Sequence, residues 1–151
     1  MKQETTSIEN RIKQFFADYE NRYAAALAGS IDVEATAAAF AAEFIEANPF
    51  GVQAGKNDEE FRKVIPQGMD FYRKIGTKSM EVDNLSITTL DPFHYLAKVH
   101  WRATYARKEK DDLLIAFDVI YFLQDIDQEL KIFAYITGDE RGVMKEHGLI
   151  D

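Results

Sequence analysis

Asp118 is the residue that most needs an explanation. It stands inside the run Ile115-Ala116-Phe117-Asp118-Val119-Ile120-Tyr121-Phe122. An ionised carboxylate buried alone among such neighbours is very costly, so it must be paired, protonated or at an exposed edge. A pair would draw on His100 or Arg102 of a neighbouring strand. A protonated Asp118 in a pocket would instead donate a hydrogen bond to a ligand oxygen. Tyr19 and Tyr23 lie at helical spacing on an apolar stripe, where a tyrosine either satisfies its hydroxyl inside the core or offers it to a ligand. Trp101, Tyr105, Tyr121 and Tyr135 either fill a core or wall a pocket.

Other chemistries lack their residues. His94 and His100 are six positions apart, roughly 20 Å along an extended strand, so they do not share one metal. His147 stands near the end of a short C-terminal helix, where its charge suits the helix dipole. The sequence has no His-x-His, Glu-x-x-His or Asp-rich loop, and no metal site is expected. It has no glycine-rich phosphate loop and no Gly-x-Ser-x-Gly, so neither a nucleotide cofactor nor serine hydrolysis is expected. No cofactor of any kind is called for. The absence of cysteine removes disulfides, thiolate ligands and a Cys nucleophile together.

These residues need elements to hold them. Ile8, Ile12, Phe15, Phe16, Tyr19, Tyr23 and Leu27 form one stripe at spacings of three and four, which predicts a first helix. Ser7 is its expected cap and Gly29 its stop. Asp32 should cap a second, Ala-rich helix reaching about Ala42. Asn48-Pro49 then breaks the pattern, with a short extended segment expected over Phe44–Val52. Asn57 should cap a third helix, which carries Pro66 inside it.

From about Thr77 the period becomes two. Met80–Leu90, Phe93–Arg107, Leu113–Gln124 and Glu129–Thr137 read as strands with turns short enough for hairpins. Gly138-Asp139-Glu140 should open a final short helix. Three helices followed by an antiparallel meander predict an α+β fold. The odd positions of Phe93–Arg107 are apolar and the even ones mixed. Leu113–Gln124 is apolar on both faces apart from Asp118. A strand of that kind needs a second cover, which a partner subunit on the outer sheet face would supply.

The chain has 151 residues, 46% of them hydrophobic, enough for one domain with a substantial core. Its 18 basic residues against 26 acidic ones give a net charge of −8. Such a surface repels phosphate backbones, so no nucleic-acid partner is expected. No apolar leader stands at the N-terminus and no run reaches the length of a membrane span, so a cytoplasmic protein without a membrane partner is expected.

The order of elements, with Asn48-Pro49-Phe50-Gly51 between the second and third helices, resembles the nuclear transport factor 2-like (cystatin-like) superfamily. SnoaL-like polyketide cyclases and ketosteroid isomerases belong to it. The resemblance spans nearly all of residues 1–151 and implies a single SnoaL-like domain: a cone-shaped α+β barrel, three N-terminal helices packed on a curved antiparallel sheet, with an apolar pocket at the open end. It also implies a homodimer paired through the sheet. Asn21-Arg22-Tyr23 resembles the segment carrying the isomerases' oxyanion-hole tyrosine, and Tyr23 falls on it. Asp118-Val119-Ile120-Tyr121-Phe122 resembles the segment of the oxyanion-hole aspartic acid. Where the isomerases have a carboxylate before Pro, this chain has Asn48, and an amide cannot take a proton from carbon.

The resemblance therefore implies binding of a small apolar or cyclic molecule, with Tyr19, Tyr23, Asn48, Phe50, Trp101, Tyr105, Asp118 and Tyr135 around it and catalysis not evident. The alternatives are an isomerase, cyclase or dehydratase using Tyr23 and Asp118 as its oxyanion hole, and a protein-interaction scaffold.

Overall fold

The apolar stripe of the first third folds as α1, Lys2–Leu27, in a computed structural model that describes residues 2–151, with side chains from Ile8 onward. Ser7 lies within α1 rather than ahead of it, and its side chain falls outside the described ones. Ile12 and Phe16 are fully buried beneath this helix. The chain leaves α1 through Gly29, whose φ of 105° is a left-handed conformation that glycine adopts freely; Ser30 N–H closes the turn on Ala25 O at 2.8 Å.

Asp32 caps α2, Val33–Ala38, accepting from Ala35 N–H at 3.0 Å. The Ala-rich helix stops four residues short of the expected Ala42. Phe40 is drawn into the core against Phe44 and Phe61, with ring centroids 5.1 and 5.4 Å away. Ala39 O accepts from Ile132 N–H at 2.8 Å. Ring burial and strand pairing outweigh the helix preference of alanine, which is a fraction of a kcal/mol per residue.

The extended segment is in fact two strands, β1 (Phe40–Asn48) and β2 (Gly51–Lys56), paired as a hairpin. α3, Glu59–Lys74, is capped by Asp58 rather than Asn57. The Asn57 amide donates instead to Ala37 O at 2.7 Å and Phe40 O at 3.1 Å, tying the α2–β1 junction. Pro66 sits within α3 without ending it.

The four alternating segments form β3 (Thr77–Asp91), β4 (His94–Arg107), β5 (Lys110–Ile126) and β6 (Glu129–Ile136), followed by α4 (Glu140–Glu146). The sheet order is β2-β1-β6-β5-β4-β3. The fold is α+β, as expected. The six-stranded sheet is curved and unclosed, and mixed rather than wholly antiparallel, because β1 runs parallel to β6.

Alternation along β4 and β5 sets the two faces. Tyr95, Ala97, Val99, Trp101, Ala103 and Tyr105 of β4 are buried against the helices. Register with β5 runs unbroken from His94↔Gln124 to Tyr105↔Leu113. Two side chains from the middle of α1 pin it to this sheet. Arg11 makes a two-bond ion pair with Asp125, at 2.7 and 2.9 Å. Glu20 accepts the Val82 N–H at a bulge in β3. Among the described residues no helix is long and apolar enough to cross a membrane.

Candidate functional site

Five tyrosines from four elements converge on the inner face of the sheet. Tyr19 and Tyr23 are one turn apart on α1, hence on one face, with ring centroids 5.6 Å apart. Tyr72 comes from α3, 6.4 Å from Tyr23. Tyr121 of β5 and Tyr135 of β6 are register partners, 6.4 Å apart. Trp101, 1% exposed, lies behind Tyr19 and Tyr23 at 6.0 and 5.7 Å and donates its indole N–H to the Tyr121 hydroxyl at 3.2 Å.

These rings enclose a cavity of about 220 Å³. Two carboxylates also line it. Glu46 shares the parity of Phe40 and Phe44 on β1 and is the register partner of Tyr135. Glu140 stands in the first turn of α4. Among the described residues, neither carboxylate pairs with a lysine, arginine or histidine, and the hydroxyls of Tyr23 and Tyr72 make no hydrogen bond.

Burial holds the Glu140 carboxyl above the usual range, and the Glu46 charge lifts it further. Burial likewise pushes the phenols up: Tyr19 to about 12, with Arg22 opposing the rise, and Tyr23 and Tyr121 well above their ordinary value. At neutral pH the tyrosines are therefore hydrogen-bond donors, and burial favours the protonated form of Glu140.

Two further compartments adjoin this cavity. One of about 230 Å³ lies among α1, α2 and α3, and shares Tyr19, Tyr23, Phe40 and Tyr72 with it. Val64, Ile65 and Met69 supply apolar wall there, and Arg22 the charge. The other, about 150 Å³, lies under α4 and shares Tyr72, Met80, Phe117 and Glu140.

The residues singled out in the sequence divide between two places. Tyr19, Tyr23 and Tyr135 line the central cavity, Trp101 backs it, and Tyr105 lines the compartment under α4. Asp118 turns its carboxylate to the outer face, since the unbroken β4–β5 register leaves it out of phase with Phe117 and Val119. There its Oδ1 meets His100 Nδ1 at 2.6 Å, with Lys98 Nζ 3.8 Å from Oδ2. The hydrogen bond from His100, and then the charge of Lys98, hold this carboxyl below its ordinary value. Tyr23 and Asp118 thus face opposite sides of the sheet and assemble no oxyanion hole.

Asn48 and Phe50 lie at the β1–β2 turn, where Asn48 Oδ1 accepts from Phe50 N–H at 2.9 Å and Phe50 is 79% exposed. Sequence reasoning missed Glu46, Tyr72, Arg22 and Glu140 as lining residues. Glu46 had a signal, its even spacing from Phe40 and Phe44. Glu140 had none, because an acid in a helix's first turn is ordinarily explained by the dipole.

Three comparisons with known proteins bear on this arrangement. The family model described as NTF2-like protein (DUF6841) matches residues 8–140. No curated protein matches the sequence. Among solved structures, the chain is similar to Aln2 from a Streptomyces species (16% identity, 93% of this chain and 96% of that one, TM-score 0.67). It is also similar to a candidate scytalone dehydratase from Novosphingobium aromaticivorans (14%, 90% and 86%, TM-score 0.66). A third is a nuclear transport factor 2-like superfamily protein from Salmonella enterica serovar Typhimurium (14%, 87% and 90%, TM-score 0.64). At these identities the likeness speaks to the fold alone.

Proposed function

The chain belongs to the NTF2-like protein family DUF6841, and from that premise we propose that it binds a small, largely apolar, ring-bearing molecule in the cavity between α1, α3 and the sheet. One observation carries the reading: polar groups without protein partners face a space walled by aromatic rings. A site of this make-up holds a ligand by ring contact and orients it through a few hydrogen bonds. An open cone also favours a binder over a scaffold whose core would be filled.

The test uses the single Trp101, which touches both Tyr19 and Tyr23. Purified protein is titrated with cyclic ketones and phenols while indole fluorescence and melting temperature are followed. A saturable fluorescence change with a rise in melting temperature is expected, because a ligand that binds only the folded state stabilises it. A folded sample that responds to no member of the panel overturns the reading.

A second reading, an acid–base enzyme of the isomerase, cyclase or dehydratase kind, is favoured by Glu46 and Glu140. Two carboxyls in one pocket, with burial favouring the protonated form of Glu140, can donate and accept within a single turnover. Glu46 would take the part that Asn48 cannot, and Tyr23 would hold the developing oxyanion. In this reading Glu46→Gln abolishes turnover while leaving binding within a few-fold; equal turnover by the variant removes it.

The partner we propose is a second copy of the chain over the outer sheet face. Leu114 and Ile136 are 58% and 41% exposed there, and cover by a like surface would bury both. Light scattering should return twice the chain mass, and Leu114→Lys should return one.

A further inference from the structure

The central cavity and the compartment among the helices differ in the sign of charge they carry. Glu46 and Glu140 line the first. Arg22 lines the second. Tyr19, Tyr23, Phe40 and Tyr72 form the wall common to both, so aromatic surface separates one sign from the other.

Arg22 is the less expected of these charges. It is half-buried, and its guanidinium lies over the Tyr19 ring, 5.3 Å from the centroid. A contact of that kind positions a cation without supplying an oxygen acceptor. A guanidinium carries five N–H donors in a fork that fits a carboxylate with two parallel bonds. In a chain with eight more acidic than basic residues, Arg22 pairs with no carboxylate among the described residues, whereas Arg11, on the same helix, holds one by two bonds. A cation in an apolar wall with its donors unspent is matched by an anion that arrives with the ligand.

Resting on the binding reading above, we propose that the ligand class is an apolar carboxylic acid, its carboxylate paired with Arg22 and its ring body lying in the compartment among the helices, against Val64, Ile65 and Met69. Turned toward the central cavity, the carboxylate would stand against Glu46 and Glu140 and leave the guanidinium unpaired. Arg22 is then the residue that selects acids over their neutral analogues.

The probes are 6-hydroxy-2-naphthoate, its methyl ester, and 2-naphthoate, titrated by Trp101 fluorescence and calorimetry against the wild-type chain and Arg22→Met. Methionine keeps an unbranched stem against Tyr19 and removes the donors. The hydroxy acid should bind at least tenfold more tightly than its ester, and 2-naphthoate should bind within a few-fold of the hydroxy acid. Arg22→Met should erase the preference for acid over ester and leave ester affinity within about twofold. Equal binding of acid and ester by the wild type, or an unchanged preference in a folded Arg22→Met, overturns the proposal while the pocket itself stands. If neither these probes nor the cyclic ketones and phenols bind, the pocket reading fails as well, and the two failures are told apart by the neutral ligands. Arg22→Gln, which keeps a donor but no charge, guards against a methionine that repacks; it should lose the preference too.

Discussion

The two faces of the sheet solve the problem of acidic side chains in opposite ways. On the outer face, Asp83, Lys98, His100, Arg102 and Asp118 form a cross-strand ladder in which each charge has a partner, the closest being Arg102–Asp83 and His100–Asp118 at 2.6 Å. On the inner face, Glu46 and Glu140 share a cavity without a cation among the described residues. Exposed carboxylates that could stand alone in water are paired with cations, and the inner ones have none among the described residues. Structural economy predicts the reverse. Unspent polarity on the inside is therefore the better guide to where a ligand goes.

That contrast can be broken or sharpened by substitution. The largest effect should come from the inner face itself: Trp101→Ala removes a fully buried ring and should cost about 3–5 kcal/mol, read by urea denaturation. Next comes the seam between the faces. Asp125→Ala leaves Arg11 without its two-bond partner and should cost about 1–2 kcal/mol by the same measurement.

Glu140 gives a pH signature. Its carboxyl titrates higher folded than unfolded, so the folded state binds more protons. Stability is then fully present below the unfolded value and falls as pH rises through the folded one. Melting curves from pH 4 to 8 should show this decline in the wild type and a flatter profile in Glu140→Gln. An unchanged slope would detach Glu140 from the contrast. Asp118→Asn, on the outer face, should have the smallest effect, within about 0.5 kcal/mol at neutral pH, because exposed pairs contribute little. Because the Asp118 carboxyl titrates low, even this small contribution is present above the unfolded value and is lost as pH falls through the folded one.

Much of the fold could be read from the residues. The stripe from Ile8 to Leu27 and the alternation of Tyr95, Ala97, Val99, Trp101 and Ala103 are local patterns, and the chain obeys them. The end of the Ala-rich helix was not local: Phe40 is extended because of Phe44, Phe61 and β6. The site was legible only where it lies on a periodic element. Tyr19 and Tyr23 declared themselves by spacing. Asp118 drew notice through its apolar neighbours, yet its facing depended on an unbroken register that no single strand records. Arg22 and Glu140 acquire meaning only from what tertiary structure sets opposite them.

The parallel pairing of β1 with β6 also governs the order of assembly. Glu46 and Tyr135 are register partners nearly ninety residues apart in sequence, whereas β3 to β6 join through tight hairpins. Contacts between distant segments pay the larger loop-closure cost and tend to form late. The meander should therefore consolidate first, and the strand bearing Glu46 should dock onto it last. Amide exchange during refolding should then protect β4 and β5 before β1, and the binding cavity should be complete only at the final step.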